Sequence, residues 1–217
     1  MVDIQEKNNE SFAGSVSGVK KLISNSRKQY LWVTLFFLVY LLIGISAYKD
    51  YGVSWDEPMH RQIAMVSAKH LASVFLPNYQ SAEFNSLPSL AEYSARQYGV
   101  IFDLPIYVAE VLLGYDDTMP EIYYLRHLGT FLLFYISIFF FFLIIKNRFE
   151  SWLLGLTGCL FLILSPRIFA DSFYGKDVVF LSLTIISIYF FIRYLASKTF
   201  INAALFALAT AVMVSQR

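Results

Sequence analysis

The sequence predicts an all-α integral membrane protein, a polytopic helical bundle of about five transmembrane helices with a large helical first loop on the non-cytoplasmic side. Three observations carry this. Hydrophobic residues make up 57% of the 217-residue chain and charged residues 15%, against roughly 45–50% and 25% in soluble domains. Five apolar runs without a charged residue recur along the chain, and lysine and arginine gather in alternate gaps between them. A water-soluble fold of this size has no interior large enough for 21 Phe and 15 Tyr, so a bilayer is the expected solvent.

Residues 1–28 are polar, rich in Gly, Ser and Asn, and without helical periodicity. They are expected to stay unstructured on the cytoplasmic side. They do not form a cleavable signal peptide, because the apolar run that follows begins too late and is too long. The spans are expected at about 30–48, 127–145, 151–166, 178–192 and 200–216, within a membrane domain covering 29–217. The first two have 19 residues each, enough to cross a hydrocarbon core of roughly 30 Å. The other three have 16, 15 and 17, near or below the usual minimum of about 17. Pro166 is expected to end the third span, since proline breaks the helical ladder. Aromatic residues at the ends, such as Tyr30, Trp32, Trp152 and Tyr194, suit interfacial belts.

Orientation follows from the basic residues. Lys20, Lys21, Arg27 and Lys28 precede the first span, Lys146 and Arg148 fill the second loop, and Arg193 and Lys198 fill the fourth. The first loop, about 49–122, carries ten acids against four bases. The positive-inside rule then places the N-terminus in the cytoplasm. Within the loop, apolar spacing over Pro58–Phe75 predicts an amphipathic helix. The run Val100–Leu113, broken by Asp103, Pro105 and Glu110, predicts a helix lying in the interface. The lone cysteine, Cys159, sits in an apolar run and reads as a small buried hydrophobe. A net charge of +1, with no basic stripe, argues against a nucleic-acid partner.

Two segments could carry chemistry, and topology brings both to the non-cytoplasmic face. The first is Ser54-Trp55-Asp56-Glu57-Pro58. A carboxylate beside an interfacial tryptophan could act as general base toward a hydroxyl or amine, or hold a divalent cation against a phosphate. His60 shares a helical face with Glu57 if Pro58 opens the helix. The plainer alternative is that Asp56 caps that helix and Glu57 favours its positive end. The second segment runs from Ser165 to Asp177, with Arg167, Asp171, Lys176 and Asp177 at the mouths of two spans. Arg167 and Lys176 could hold a phosphate, by a fork and as a point charge respectively. The alternative is snorkelling toward the interface. Arg126 opens the second span against the helix dipole, which asks for some further partner. The remaining acids of the loop, Asp103, Asp116, Asp117 and Glu121, read mostly as a solvated surface.

This arrangement resembles the GT-C superfamily of membrane glycosyltransferases, closest to the protein O-mannosyltransferase and aminoarabinose transferase branch. The likeness rests on Trp55-Asp56-Glu57-Pro58, Tyr98 through Pro105, Tyr124-Leu125-Arg126-His127-Leu128, and Ser165-Pro166-Arg167 running to Gly175-Lys176-Asp177. It implies an inverting transferase that moves a sugar from a polyprenyl-phosphate carrier to a glycan, lipid or protein acceptor. Asp56, with Glu57 beside it, would be catalytic. His60, Arg126, Arg167, Lys176 and Asp177 would bind substrate. No cofactor is required by the likeness, and a divalent cation is used by only some members. Such enzymes are longer, so the chain is expected to be the N-terminal part of one, in a bacterial inner membrane. A polyprenyl-lipid transporter and a non-catalytic membrane scaffold are the alternatives.

Overall fold

The computed structural model describes residues 28–76 and 82–216, so the expected unstructured segment at 1–28 falls almost wholly outside the described residues. All the regular structure described is α-helical. The helices are α1 (Lys28–Ala47), α2 (Glu57–Phe75), α3 (Ala82–Ser86), α4 (Asp103–Leu113), α5 (Glu121–Phe149), α6 (Trp152–Ile163), α7 (Pro166–Asp171), α8 (Asp177–Ala196) and α9 (Phe200–Val214). The chain divides into two compact units, one through Leu42 and one from Ile43 onward. The cleft described below and its supports belong to the second.

Among the described residues three helices, α1, α5 and α8, are long and apolar enough to cross a membrane. The other two expected spans are shorter. Helix α6 has 12 residues and α9 has 15, or roughly 18 and 22 Å at 1.5 Å per residue. Helix α6 stops at Ile163 because the chain turns at Leu164 and Ser165, and Pro166 then opens α7 instead of closing the span. Helix α9 ends at Val214, where Ser215 N–H donates to Ala211 O at 2.9 Å.

Helix α8 packs against both α5 and α9, and α5 also packs against α6. Small residues set the closest approach: a Cβ built on Gly155 or Gly158 would meet Phe142 or Ile145 of α5, which is how small side chains let apolar helices touch. Cys159 lies wholly buried on the same face. Between α8 and α9 the hydroxyls of Ser187 and Thr210 meet at 2.9 Å. The buried hydroxyls of Ser137 and Ser182 donate back to Phe134 O and Val178 O at 2.7 Å, so neither is left unsatisfied in an apolar interior. Ser151 and Thr199 cap α6 and α9 by accepting from the backbone N–H groups of Leu154 and Asn202, as N-cap residues do.

The first loop contains the two helices expected there. Helix α2 covers the amphipathic stretch and buries Ile63, Ala64, Met65 and Val66. Helix α4, which packs between α2 and α5, is inverted relative to a water-soluble helix. It buries Asp103, Tyr107 and Glu110, spaced four and three residues apart on one face, while Val108, Val111, Leu112 and Leu113 are exposed. Gly114 ends it in the left-handed region at φ 73°, a conformation glycine adopts without steric cost.

Candidate functional site

The site begins where α2 starts. Asp56 occupies the N-cap position but makes no side-chain capping bond. Glu57 Oε2 accepts from Ser54 N–H, ahead of the helix, at 2.7 Å. Its other oxygen, Oε1, lies 3.0 Å from His127 Nε2 on α5. His127 is wholly buried, and its Nδ1 lies 3.2 Å from the Tyr48 carbonyl. A carbonyl only accepts, so Nδ1 carries the proton in that contact. Glu57 is thus a buried anchor that fixes the start of α2 to α5. Asp56 is left facing outward.

Beneath this lies a buried network that joins three helices. Arg126 of α5, 2% exposed, pairs with Asp103 of α4 and lies 3.6 Å from Glu110 Oε1. Glu110 Oε2 accepts from Arg61 Nε of α2 at 2.8 Å, and Arg61 reaches Asp117 with its next nitrogen at 2.8 Å. Asp103 Oδ2 faces His60 Nδ1 at 3.4 Å. The partner that the arginine's position against the dipole demanded is this pair of acids. Asp103 is buried, contrary to the expected solvated surface, and Glu110 is buried with it, because α4 turns its acidic face toward Arg126 and Arg61. The exposed member is Asp117, at 65%.

The returning segment between α6 and α8 is held by aromatic packing. Phe173, buried, stacks on Phe131 of α5 at 5.2 Å between ring centres, and Tyr51 covers it at 4.2 Å. Tyr174 packs edge-on against Tyr51 and His127. Burial pushes the Tyr174 phenol up, and the charges of Glu57 and Asp171 add to that, so it remains an O–H donor. This anchoring sets Lys176, the residue before α8, over the start of α2.

Lys176 Nζ donates to Asp56 Oδ2 at 2.9 Å, across 120 positions of sequence. That hydrogen bond, followed by the lysine's charge, holds the Asp56 carboxyl below the usual carboxylate range, and the same bond holds the Lys176 ammonium above its usual value. The pair's contribution to stability is therefore lost on the acid side as pH falls through the lowered Asp56 value. It is lost on the alkaline side as pH rises through the raised Lys176 value. Both side chains are close to half exposed, so this contribution is weak. Arg167 is 83% exposed and lies 3.7 Å from Asp171 and 3.8 Å from Asp177.

Together these residues line one cleft of about 230 Å³. It brings together all seven residues singled out from the sequence: Asp56, Glu57, His60, Arg126, Arg167, Lys176 and Asp177. Their parts differ. Glu57 and Arg126 are held by buried partners, whereas Asp56, Arg167, Lys176 and Asp177 are open to a ligand. Sequence reasoning missed Arg61, Asp103, Glu110 and His127 as supports. Among the described residues no three of His, Cys, Asp and Glu converge as a metal-ligand set. No protein family, curated protein or solved structure matches the chain.

Proposed function

We propose that the cleft transfers a sugar from a polyprenyl-phosphate carrier to an acceptor hydroxyl or amine at the non-cytoplasmic surface of a membrane. One observation carries the reading: an exposed carboxylate, Asp56, shares a cleft with two exposed cations, Lys176 and Arg167, beside the first turn of the apolar helix α8. A phosphate on a lipid arrives at that depth, and arginine and lysine are the side chains that hold it. The exposed apolar side of α4 and the exposed Trp55 suit a surface lying among lipid head groups. In the same reading α6 and α9 complete a five-span bundle with a cytoplasmic N-terminus, in a bacterial inner membrane.

The chemistry balances with the residues of the cleft. Asp56 takes the proton of the acceptor, whose oxygen or nitrogen attacks the anomeric carbon. The bond from that carbon to the phosphate oxygen breaks, the configuration inverts, and the electron pair leaves on the phosphate. Lys176 and Arg167 stabilise the charge that develops there. Arg126, locked against Asp103 and Glu110, acts as a positioning residue that holds the cleft wall of α5 against α4. The acceptor is a glycan, a lipid or a protein.

The test is transfer of label from radiolabelled polyprenyl-phosphate sugars in membranes expressing the complete reading frame. Asp56→Asn is expected to lower transfer by about 10²–10⁴-fold, the range for loss of a general base, at unchanged expression. Unchanged transfer would remove Asp56 from the mechanism. A chain that inserts and folds but transfers nothing from any donor would point to a scaffold or transporter.

A further inference from the structure

The cations of the cleft arrive already paired. Lys176 holds Asp56, Arg167 stands between Asp171 and Asp177, and Arg126 is locked to Asp103 and Glu110. An incoming anion must therefore join or displace a carboxylate. At Arg126 displacement would leave the buried Asp103 with only His60, at 3.4 Å, which is costly. At Arg167 the contacts are long and the side chain is mostly in solvent, so it can take a further oxygen without giving one up. The Lys176–Asp56 pair is different: it is short, yet both partners are close to half exposed, and water and ions compete for such pairs.

Lys176 also has somewhere to go. It stands in the wall between the cleft and a second cavity of about 290 Å³, bounded by His60, Tyr98, Asp177, Phe180 and Gln216. Its four-carbon stem can swing toward that side while its backbone stays fixed by the aromatic stack around Phe173.

We propose that Lys176 is a latch on Asp56: its ammonium covers the carboxylate until the phosphate of a phosphate ester draws it away. The proposal rests on the transfer reading above and adds an order to it, since the acceptor's base is uncovered once the donor is seated. A covered carboxylate is a poor base, and one freed from its cation, with a phosphate beside it, is a better one. The other titratable and charged groups lining the cleft with Asp56 are His60 and Glu57 of α2, Arg126 of α5, Arg167 and Asp171 of α7, Tyr174, and Asp177 of α8. His60 acts in the same direction as Lys176, lowering the carboxyl when charged. Glu57 stays engaged with Ser54 and His127.

The experiment is a titration of the 217-residue chain in nanodiscs, carrying ¹³C-carboxyl aspartate, with the Asp56 signal assigned by its absence in Asp56→Asn. Polyprenyl phosphate in the nanodisc is one arm and inorganic phosphate in solution the other. With bound polyprenyl phosphate the Asp56 midpoint is expected to move to higher pH. In Lys176→Gln it is expected to lie higher without ligand, while affinity for the phosphate falls about tenfold or more, as for loss of one charged hydrogen bond. A shift with both probes supports the latch and assigns the ligand as phosphate itself; a shift with the lipid alone supports it and assigns a lipid head group. Bound polyprenyl phosphate with an unmoved midpoint, or a Lys176→Gln titration identical to wild type, overturns the latch and leaves the transfer reading standing. Failure of both probes to bind overturns both.

Discussion

Arg126→Ala is expected to destabilise the fold by about 3–5 kcal/mol, the cost of breaking a buried ion pair from one side. The arginine is 2% exposed, and its removal leaves Asp103 and Glu110, both almost wholly buried, facing an apolar gap. Glu110 retains Arg61, whereas Asp103 retains only His60, at 3.4 Å. Asp103→Asn in the Arg126→Ala background is expected to recover part of the loss, because a neutral amide does not need a cation. Unfolding in detergent, followed by helical circular dichroism or by resistance to protease, reads both variants. An Arg126→Ala variant as stable as wild type would mean that the network does not bind α4 to α5.

Gly99→Ala is expected to be nearly as damaging, for a different reason. A Cβ at this position would overlap the carbonyl oxygen of Ser215 and stand 2.7 Å from the backbone carbon of Gln216. Those atoms are backbone, so no rotamer change relieves the clash. The strand of loop preceding α4 and the end of α9 would have to separate, with loss of the bond from Phe102 N–H to Gln216 Oε1 at 3.2 Å. Overpacking of this kind typically costs about 1–3 kcal/mol and sometimes more. Hydrogen exchange at residues 213–216 is expected to accelerate in Gly99→Ala. Gly52→Ala is the control, since a Cβ there meets nothing within 4 Å. Equal behaviour of the two variants would contradict this packing.

The helices were legible in the sequence wherever apolar runs decide the matter. The expected span at 178–192 lies inside α8, and that at 127–145 lies inside α5. Helix α5 is longer at both ends, because charges that interrupt an apolar run do not interrupt a helix when they are paired or placed favourably. Arg126 has buried acids, and Lys146 and Arg148 lie in the last turn, where the dipole favours cations. The lengths of α6 and α9 were harder, since α6 stops at Ile163 and α9 at Val214, before the apolar runs of the sequence end.

Within the site, the residues that share the cleft could be named from topology, but their pairings could not. Nothing local joins Lys176 to Asp56, and the helix-cap alternative for Asp56 was reasonable until that contact took the carboxylate away from the cap. Composition treats an acid in a loop as solvated, which misplaced Asp103 and gave Glu110 no partner. Their signal was present nonetheless: two acids seven residues apart, with Tyr107 between them on the same face of an otherwise apolar helix, opposite a misplaced arginine. Acids on the wrong side of an inverted amphipathic helix announce a buried partner.

The central claim is that this cleft receives a phosphate carried on a polyprenyl chain, and photolabelling tests it most directly. A polyprenyl phosphate bearing a diazirine near the head group would be irradiated with the protein in native membranes and the adducts mapped by mass spectrometry. The account predicts adducts concentrated at Trp55–His60 and Tyr174–Phe180, suppressed by excess unlabelled polyprenyl phosphate and by Lys176→Gln. Adducts spread along the apolar helices, indifferent to competitor and to Lys176, would contradict it.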